Sequence, residues 1–208
     1  MHSMLNAARE TPFYALFYTA LYTGLRRSEL LGLRWRDIDL DLATLSVVQT
    51  LHHVSGKGYV FREPKTRRSR RLVDLSPSLA LLLRDHWANQ ELERTLLGRV
   101  LVPDDLVFSN PDGTPFPPNS ITKAFHKLIT SIGISGIRLH DLRHNHATLI
   151  LRQGVHPKVV SERLGYSSIA ITLDTYSHVM PGIQAAAAQR FDEGLQKARE
   201  AASAREVS

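Results

Sequence analysis

The run Arg138–Thr148, Arg-Leu-His-Asp-Leu-Arg-His-Asn-His-Ala-Thr, constrains this chain more than any other stretch. His140 and Arg143 stand three residues apart, so on a helix they leave one face a single turn apart. Arginine offers a fixed fork of donors, and histidine can give or take a proton near neutrality, so the pair can hold a phosphate. The same pair can equally be a structural polar contact. His144 and His146 raise a third idea, a zinc site. With no cysteine, no His-Glu-x-x-His arrangement and only Asp141 at ligand spacing, that reading is weak and no metal is assigned.

Around this run the periodicity predicts one mainly helical α+β domain with a small three-stranded antiparallel sheet. Residues 1–11 show no apolar period and read as a linker remnant. Pro12 to Tyr22 reads as a helix with proline near its first turn and Gly24 ending it, and Phe13, Leu16, Phe17, Ala20 and Leu21 fall on one stripe. The period then shortens. Thr44–Leu51, Tyr59–Arg62 and Arg70–Leu75 are β-type runs separated by glycine- and proline-containing turns, and supply the three strands. Ser76-Pro77 caps a long helix running to about Leu97, and Asn119 starts another to Ile132. Helices are expected at about 140–152, 157–164 and 170–179, the first two closed by Gly154 and Gly165. An alanine-rich helix over Gln184–Glu200 completes the chain, so the domain is expected over 12–180 with a tail over 181–208.

Composition enters through charge. The 26 Lys+Arg against 20 Asp+Glu give a formal +6, and arginine dominates, which fits a polyanionic partner met through bidentate contacts. Lys65, Arg67, Arg68, Arg70 and Arg71 crowd into one turn and the strand after it. A solvated basic edge is the plain explanation. Packed like charge repels itself, however, and a nucleic-acid backbone would relieve the repulsion, so DNA contact by Arg67, Arg68, Arg70 and Arg71 is favoured. The absence of cysteine excludes a disulfide framework and is compatible with a cytoplasmic location. The apolar run from Pro12 to Leu25 is too short to span a bilayer, and no membrane role follows.

Arg26 lies in Thr23-Gly-Leu-Arg-Arg-Ser-Glu-Leu-Leu31, entering a short helix, with Glu29 as an obvious ion-pair partner. Tyr176 lies in the polar segment Asp174-Thr-Tyr-Ser-His178. A lone tyrosine usually packs. One flanked by polar residues, in a chain with two placed arginines and a histidine, is better explained as a nucleophile.

Taken in order, these boxes resemble the catalytic domain of the tyrosine recombinases of the phage integrase family. Thr-Gly-Leu-Arg-x-x-Glu-Leu at 23–30 is similar to its first arginine box, Pro64-Lys-Thr-x-x-Ser-Arg-Arg-x-Val73 to its β-hairpin lysine element, His-x-x-Arg at 140–143 to its second arginine box, and Tyr-Ser-His at 176–178 to its nucleophile box. The match runs from about residue 12 to 180. The resemblance implies double-stranded DNA as substrate and strand cleavage and rejoining through a 3′-phosphotyrosyl intermediate, with no metal, nucleotide or other cofactor. It implies Arg26 and Arg143 as phosphate clamps, Lys65 (Lys57 being the weaker candidate) as leaving-group acid, His140 as phosphate or proton partner, and Tyr176 as nucleophile. It also implies assembly with other protomers on DNA, a tetramer held through the C-terminal tail. One position departs from the pattern. Where the family has Leu-Gly-His, or Trp in some branches, this chain has Leu164-Gly165-Tyr166, so Tyr166 is expected as a supporting donor to the phosphate. The rival readings are a catalytically idle DNA-binding module on the same fold and, more distantly, a metal-dependent phosphodiesterase.

Overall fold

The computed structural model describes residues 1–64, 69–177 and 188–197. Its helices are α1 His2–Ala8, α2 Tyr14–Thr23, α3 Arg27–Leu31, α4 Pro77–Leu96, α5 Pro118–Ser131, α6 Asp141–Arg152, α7 Pro157–Leu164 and α8 Ile169–Tyr176. Its strands are β1 Ile38–Asp39, β2 Thr44–Val47, β3 Thr50–Val54, β4 Gly58–Arg62 and β5 Arg71–Asp74. Residues 188–197 form a further helical stretch. The fold is α+β and mainly helical, as the periodicity predicts.

Local signals set most of the helix ends. Gly24 closes α2 in the left-handed conformation at φ 66°. Ser76 caps α4, its hydroxyl accepting the Leu79 N–H at 3.3 Å, with Pro77 in the first turn. On α2, Leu16, Phe17, Ala20 and Leu21 face inward as the stripe predicts, and the Phe17 ring meets Phe125 of α5 edge-on at 5.2 Å. Inside the same core the Trp35 indole donates to Gln90 Oε1 at 2.6 Å, which satisfies a buried N–H.

Two expectations are corrected. Residues 1–11 are not a linker. His2–Ala8 form α1, whose Met4 and Ala8 are buried in the main core. The short helix carries too few apolar residues for a period to show, and its stability comes from docking. The sheet is also partitioned differently. A three-stranded antiparallel sheet runs β1-β2-β5, with Leu45 opposite both Ile38 and Val73, while β3 and β4 form a separate hairpin. The run Thr44–Leu51 breaks at residues 48 and 49. There Gln49 Nε2 donates to the Gly32 carbonyl at 2.7 Å, and the end of α3 passes so close that a Cβ on Gly32 would meet the Thr50 and Leu51 backbone at 3.0 Å. The chain turns past α3, and the second half of the run pairs with a new partner.

Behind the main core, α6, α7 and α8 enclose a small cluster of Ala147, Leu151, Val160, Leu164 and Tyr176. This cluster positions the site.

Candidate active site

Asp141 fixes the start of α6. Its Oδ2 accepts the Arg138 backbone N–H at 2.8 Å, and its charge sits in the first helical turn, where the helix dipole favours an anion. His140, just before the helix, lies on the wall of a cleft of about 870 Å³ that is also lined by Arg26, Arg27, His52, Asn119 and Arg138. Partial burial, reinforced by His144 and Arg143, lowers the His140 pKa below its ordinary value.

Arg143 lies one turn further on and is buried. It donates through Nη1 to the Gly24 carbonyl at 2.7 Å and through Nη2 to the Leu164 carbonyl at 2.6 Å. Both acceptors lie at helix C-termini, where carbonyls lack helical partners and the dipole is negative, so a buried guanidinium is tolerated there. These two bonds tie α2 to α7 and leave other donors of the fork for an anion. The approach is close. A Cβ on Gly24 would meet Leu164 Cδ2 at 2.6 Å and His146 Cδ2 at 2.8 Å. His146 Nε2 accepts from Arg163 Nε at 3.0 Å, and burial, with the Arg163 charge, lowers its pKa to about 4.

Gly24 stands two residues before Arg26, so the same junction carries the other arginine. Arg26 is half-exposed toward the cleft, and its Nη1 meets Glu29 Oε1 at 2.9 Å while Glu29 Oε2 accepts the Arg26 backbone N–H at 2.8 Å. Glu29 has a second partner that the sequence does not reveal. Arg71 donates to both carboxylate oxygens, at 3.1 and 3.0 Å, and its Nε donates to the Arg163 carbonyl at 2.6 Å. Burial pushes the Glu29 carboxyl up, but the hydrogen bonds and charge of Arg71, with those of Arg26, outweigh it and hold the pKa below the usual value.

Tyr166 follows directly from this junction. Gly165 ends α7 at φ 66°, the Gly165 N–H reaches the Glu162 carbonyl at 2.9 Å, and the Tyr166 N–H reaches that of Ser161 at 3.0 Å. The turn lays the Tyr166 ring against the Arg143 guanidinium, 4.9 Å from carbon to centroid. Tyr176, the last residue of α8, is buried in the α6–α8 cluster. Burial, with the Tyr166 hydroxyl beside it, raises its pKa above the ordinary tyrosine value, and His144 Nδ1 lies 2.8 Å from its hydroxyl.

The structure therefore brings Arg26, His140, Arg143, Tyr166 and Tyr176 to one junction of α2, α3, α6, α7 and α8. Lys65, Arg67 and Arg68 lie outside the described residues. Lys57 is exposed in the β3–β4 turn. Of the remaining basic residues, Arg70 is exposed and pairs with Glu63. Arg71 departs from the expectation of a DNA contact. Its side chain is 6% exposed and turned inward onto Glu29, because its position at the start of β5 faces α3 and α7 rather than solvent. Sequence reasoning also missed His144 as the neighbour of Tyr176. Its spacing of four from His140 is the only local signal, and that spacing says nothing of α8.

The profile of the phage integrase family matches residues 1–182. Among relatives, a protein described as tyrosine recombinase XerC-like from Caldanaerobacter subterraneus subsp. tengcongensis is 36% identical over 178 residues, covering 80% of this chain and 46% of its own. The ICEBs1 integrase of Bacillus subtilis is 35% identical over 185 residues, covering 88% and 49%. The chain thus spans about half the length of these relatives. Among solved structures, the Tn1549 transposon integrase in complex with circular intermediate DNA superposes with a TM-score of 0.77 at 23% identity, covering 91% of this chain and 64% of that one. The XerA recombinase gives 0.64 at 26% identity, covering 83% and 56%.

Proposed function

The chain belongs to the phage integrase family, and from that premise we propose that it is the catalytic domain of a tyrosine site-specific recombinase. It cleaves and rejoins double-stranded DNA through a covalent 3′-phosphotyrosyl intermediate. The observation that carries this reading is the convergence at one junction. Arg143 hangs on the carbonyl of Gly24, two residues before Arg26, while His144, next to Arg143 on α6, touches the hydroxyl of Tyr176. Through these neighbours on α6, Arg26 and Tyr176, 150 positions apart in sequence, come to one junction, where a phosphate bound by two arginines would face a phenol.

Arg26 and Arg143 stabilise the negative charge that develops on the five-coordinate phosphorus, and losing one such donor typically costs about 10²–10³ in rate. Tyr176 Oη forms the new bond to phosphorus as the bond to the sugar 5′-oxygen breaks. A phenol is more acidic than that hydroxyl, so the phosphotyrosine stays a good leaving group when the 5′-oxygen returns, and no nucleotide is consumed. Lys65 is the acid for the 5′-oxygen on the strength of its place in the Pro64-Lys-Thr motif. His140, on the cleft wall, binds the phosphate. Tyr166 supports it, its ring braced on Arg143. Arg67, Arg68 and Arg70 meet flanking phosphates.

The relatives named integrases and recombinases, and the solved neighbour bound to DNA, support DNA as the substrate. Other protomers are the second partner, in a tetramer on DNA. In the helical stretch 188–197, Phe191 is 71% and Leu195 45% exposed, an apolar face fitted to a neighbouring subunit. Ile183 and Ala187, which extend that stripe in the sequence, lie outside the described residues. Deleting 183–208 is expected to leave the thermal transition of the free chain in place and to weaken assembly on DNA in a gel-shift titration. A deletion that unfolds the chain would place the tail on its own domain. Among the described residues no helix is long and apolar enough to cross a membrane.

The test of the activity is incubation with a pool of nicked duplexes of randomised sequence in the presence of a chelator, followed by denaturing electrophoresis. The nick lets the short 5′-hydroxyl fragment diffuse away and traps the intermediate. A denaturant-resistant protein–DNA adduct is expected. DNA retention without adduct marks an idle binding module, and cleavage that chelator abolishes marks a metal-dependent phosphodiesterase.

A further inference from the structure

We propose that His144, rather than His140, is the general base that takes the proton from Tyr176. The inference rests on the recombinase reading above and assigns one step within it. His140, the residue before α6, and His144 in its first turn have ring centroids 5.1 Å apart and planes at 85°, yet they face different things. His140 is the more exposed of the two and lines the cleft together with Arg26. His144 is half-buried, turned toward α8, with Nδ1 2.8 Å from the Tyr176 hydroxyl and its ring 5.9 Å from the tyrosine ring. A hydroxyl of that kind needs a base within hydrogen-bond reach of its own proton, and His144 Nδ1 has that geometry already in the free protein.

The environment strengthens the case. Tyr176 is held in an apolar cluster, where burial and the Tyr166 hydroxyl disfavour its anion, so it cannot rely on free ionisation in water. Among the described residues, the groups facing His144 are Tyr176 on α8, Asp141 at the start of its own helix and His140 just before it, with Arg143 as its sequence neighbour. The His144 ring is turned to the phenol it would serve.

The step balances without an outside reagent. As Tyr176 Oη bonds to phosphorus, its proton passes to His144 Nδ1, the bond from phosphorus to the 5′-oxygen breaks, and that oxygen takes a proton from Lys65. On rejoining, His144 returns its proton to the tyrosyl oxygen and Lys65 recovers its own. The two histidines divide the work: His140 serves the phosphate and His144 the nucleophile.

The experiment measures single-turnover adduct formation by the full 208-residue chain on a nicked duplex selected from the randomised pool. Two variants separate holding from deprotonating. In His144→Gln the amide oxygen still accepts a hydrogen bond from the phenol but takes no proton, whereas His144→Ala removes both functions. Both variants are expected to slow cleavage by about 10² or more while binding the duplex as wild type does. The loss should persist on a duplex carrying a 5′-bridging sulfur at the cleaved position, a leaving group that needs no acid. His144→Gln cleaving at the wild-type rate, or sulfur restoring either variant, overturns the assignment while the recombinase reading stands. A wild-type chain that forms no adduct overturns both.

Discussion

Tyr176→Phe is expected to abolish the covalent adduct altogether while leaving DNA binding and the fold nearly unchanged. The lost atom is the one that bonds to phosphorus, so no neighbouring group can compensate by degree. The phenyl ring keeps its packing against Ala147, Leu151, Val160 and Leu164. What folding loses is one hydrogen bond to His144, worth about 1 kcal/mol net. Arg26 and Arg143 are untouched, because their carbonyl and carboxylate partners belong to α2, α3 and α7. Denaturing electrophoresis on the nicked pool reads the adduct, and a gel shift with the same duplex reads binding. An adduct surviving in this variant would show another nucleophile and remove Tyr176 from the chemistry.

The elements that could be read in the sequence are those whose determinants are local. Gly24 and Gly165 close α2 and α7 in a conformation that favours glycine, and Ser76-Pro77 opens α4, so each boundary is written within a few residues. The Arg26–Glu29 contact was legible for the same reason, being a single turn long. Contacts across the chain were not. Arg71 reads as one more charge in a basic run until β5 sets it against Glu29, forty-two positions earlier. His144 reads as a spare histidine until α8 folds back and brings Tyr176 to it across thirty-two positions. In the same way α1 acquires its reason to be helical only when Met4 and Ala8 meet the core, and the run Thr44–Leu51 divides only because α3 stands in its path. Function showed more clearly than topology. The boxes carry the chemistry in short spans, whereas the sheet depends on which strands happen to meet.

The Glu29–Arg71 pair gives the largest expected effect on stability. With side chains 3% and 6% exposed, neither charge can be returned to water without opening the junction of α3, β5 and α7. Glu29→Gln strands the Arg71 cation, and breaking a buried pair from one side costs about 3–5 kcal/mol, a large share of the roughly 5–15 kcal/mol that holds a domain folded. Urea denaturation at neutral pH should show that loss, and an unchanged midpoint would refute it. The pH dependence has a definite sign. Because the folded carboxyl is held below its unfolded value of 4.5, the unfolded chain binds more protons over the interval between the two. The contribution is therefore fully present above pH 4.5 and is lost as pH falls through the lower, folded value. The gap between wild type and Glu29→Gln should narrow over that acid range alone. His146, neutral in the fold down to about 4, weakens both proteins alike as pH falls below its ordinary 6.5 and cancels in the comparison. Replacing both partners with apolar residues, Glu29→Leu with Arg71→Met, should recover much of the stability, since a buried pair is often matched by packing. Cleavage should not recover with it, because Arg26 would still lack the carboxylate that holds its guanidinium and its backbone in place. A stable double variant that cleaves at the wild-type rate would show that the pair serves the fold alone.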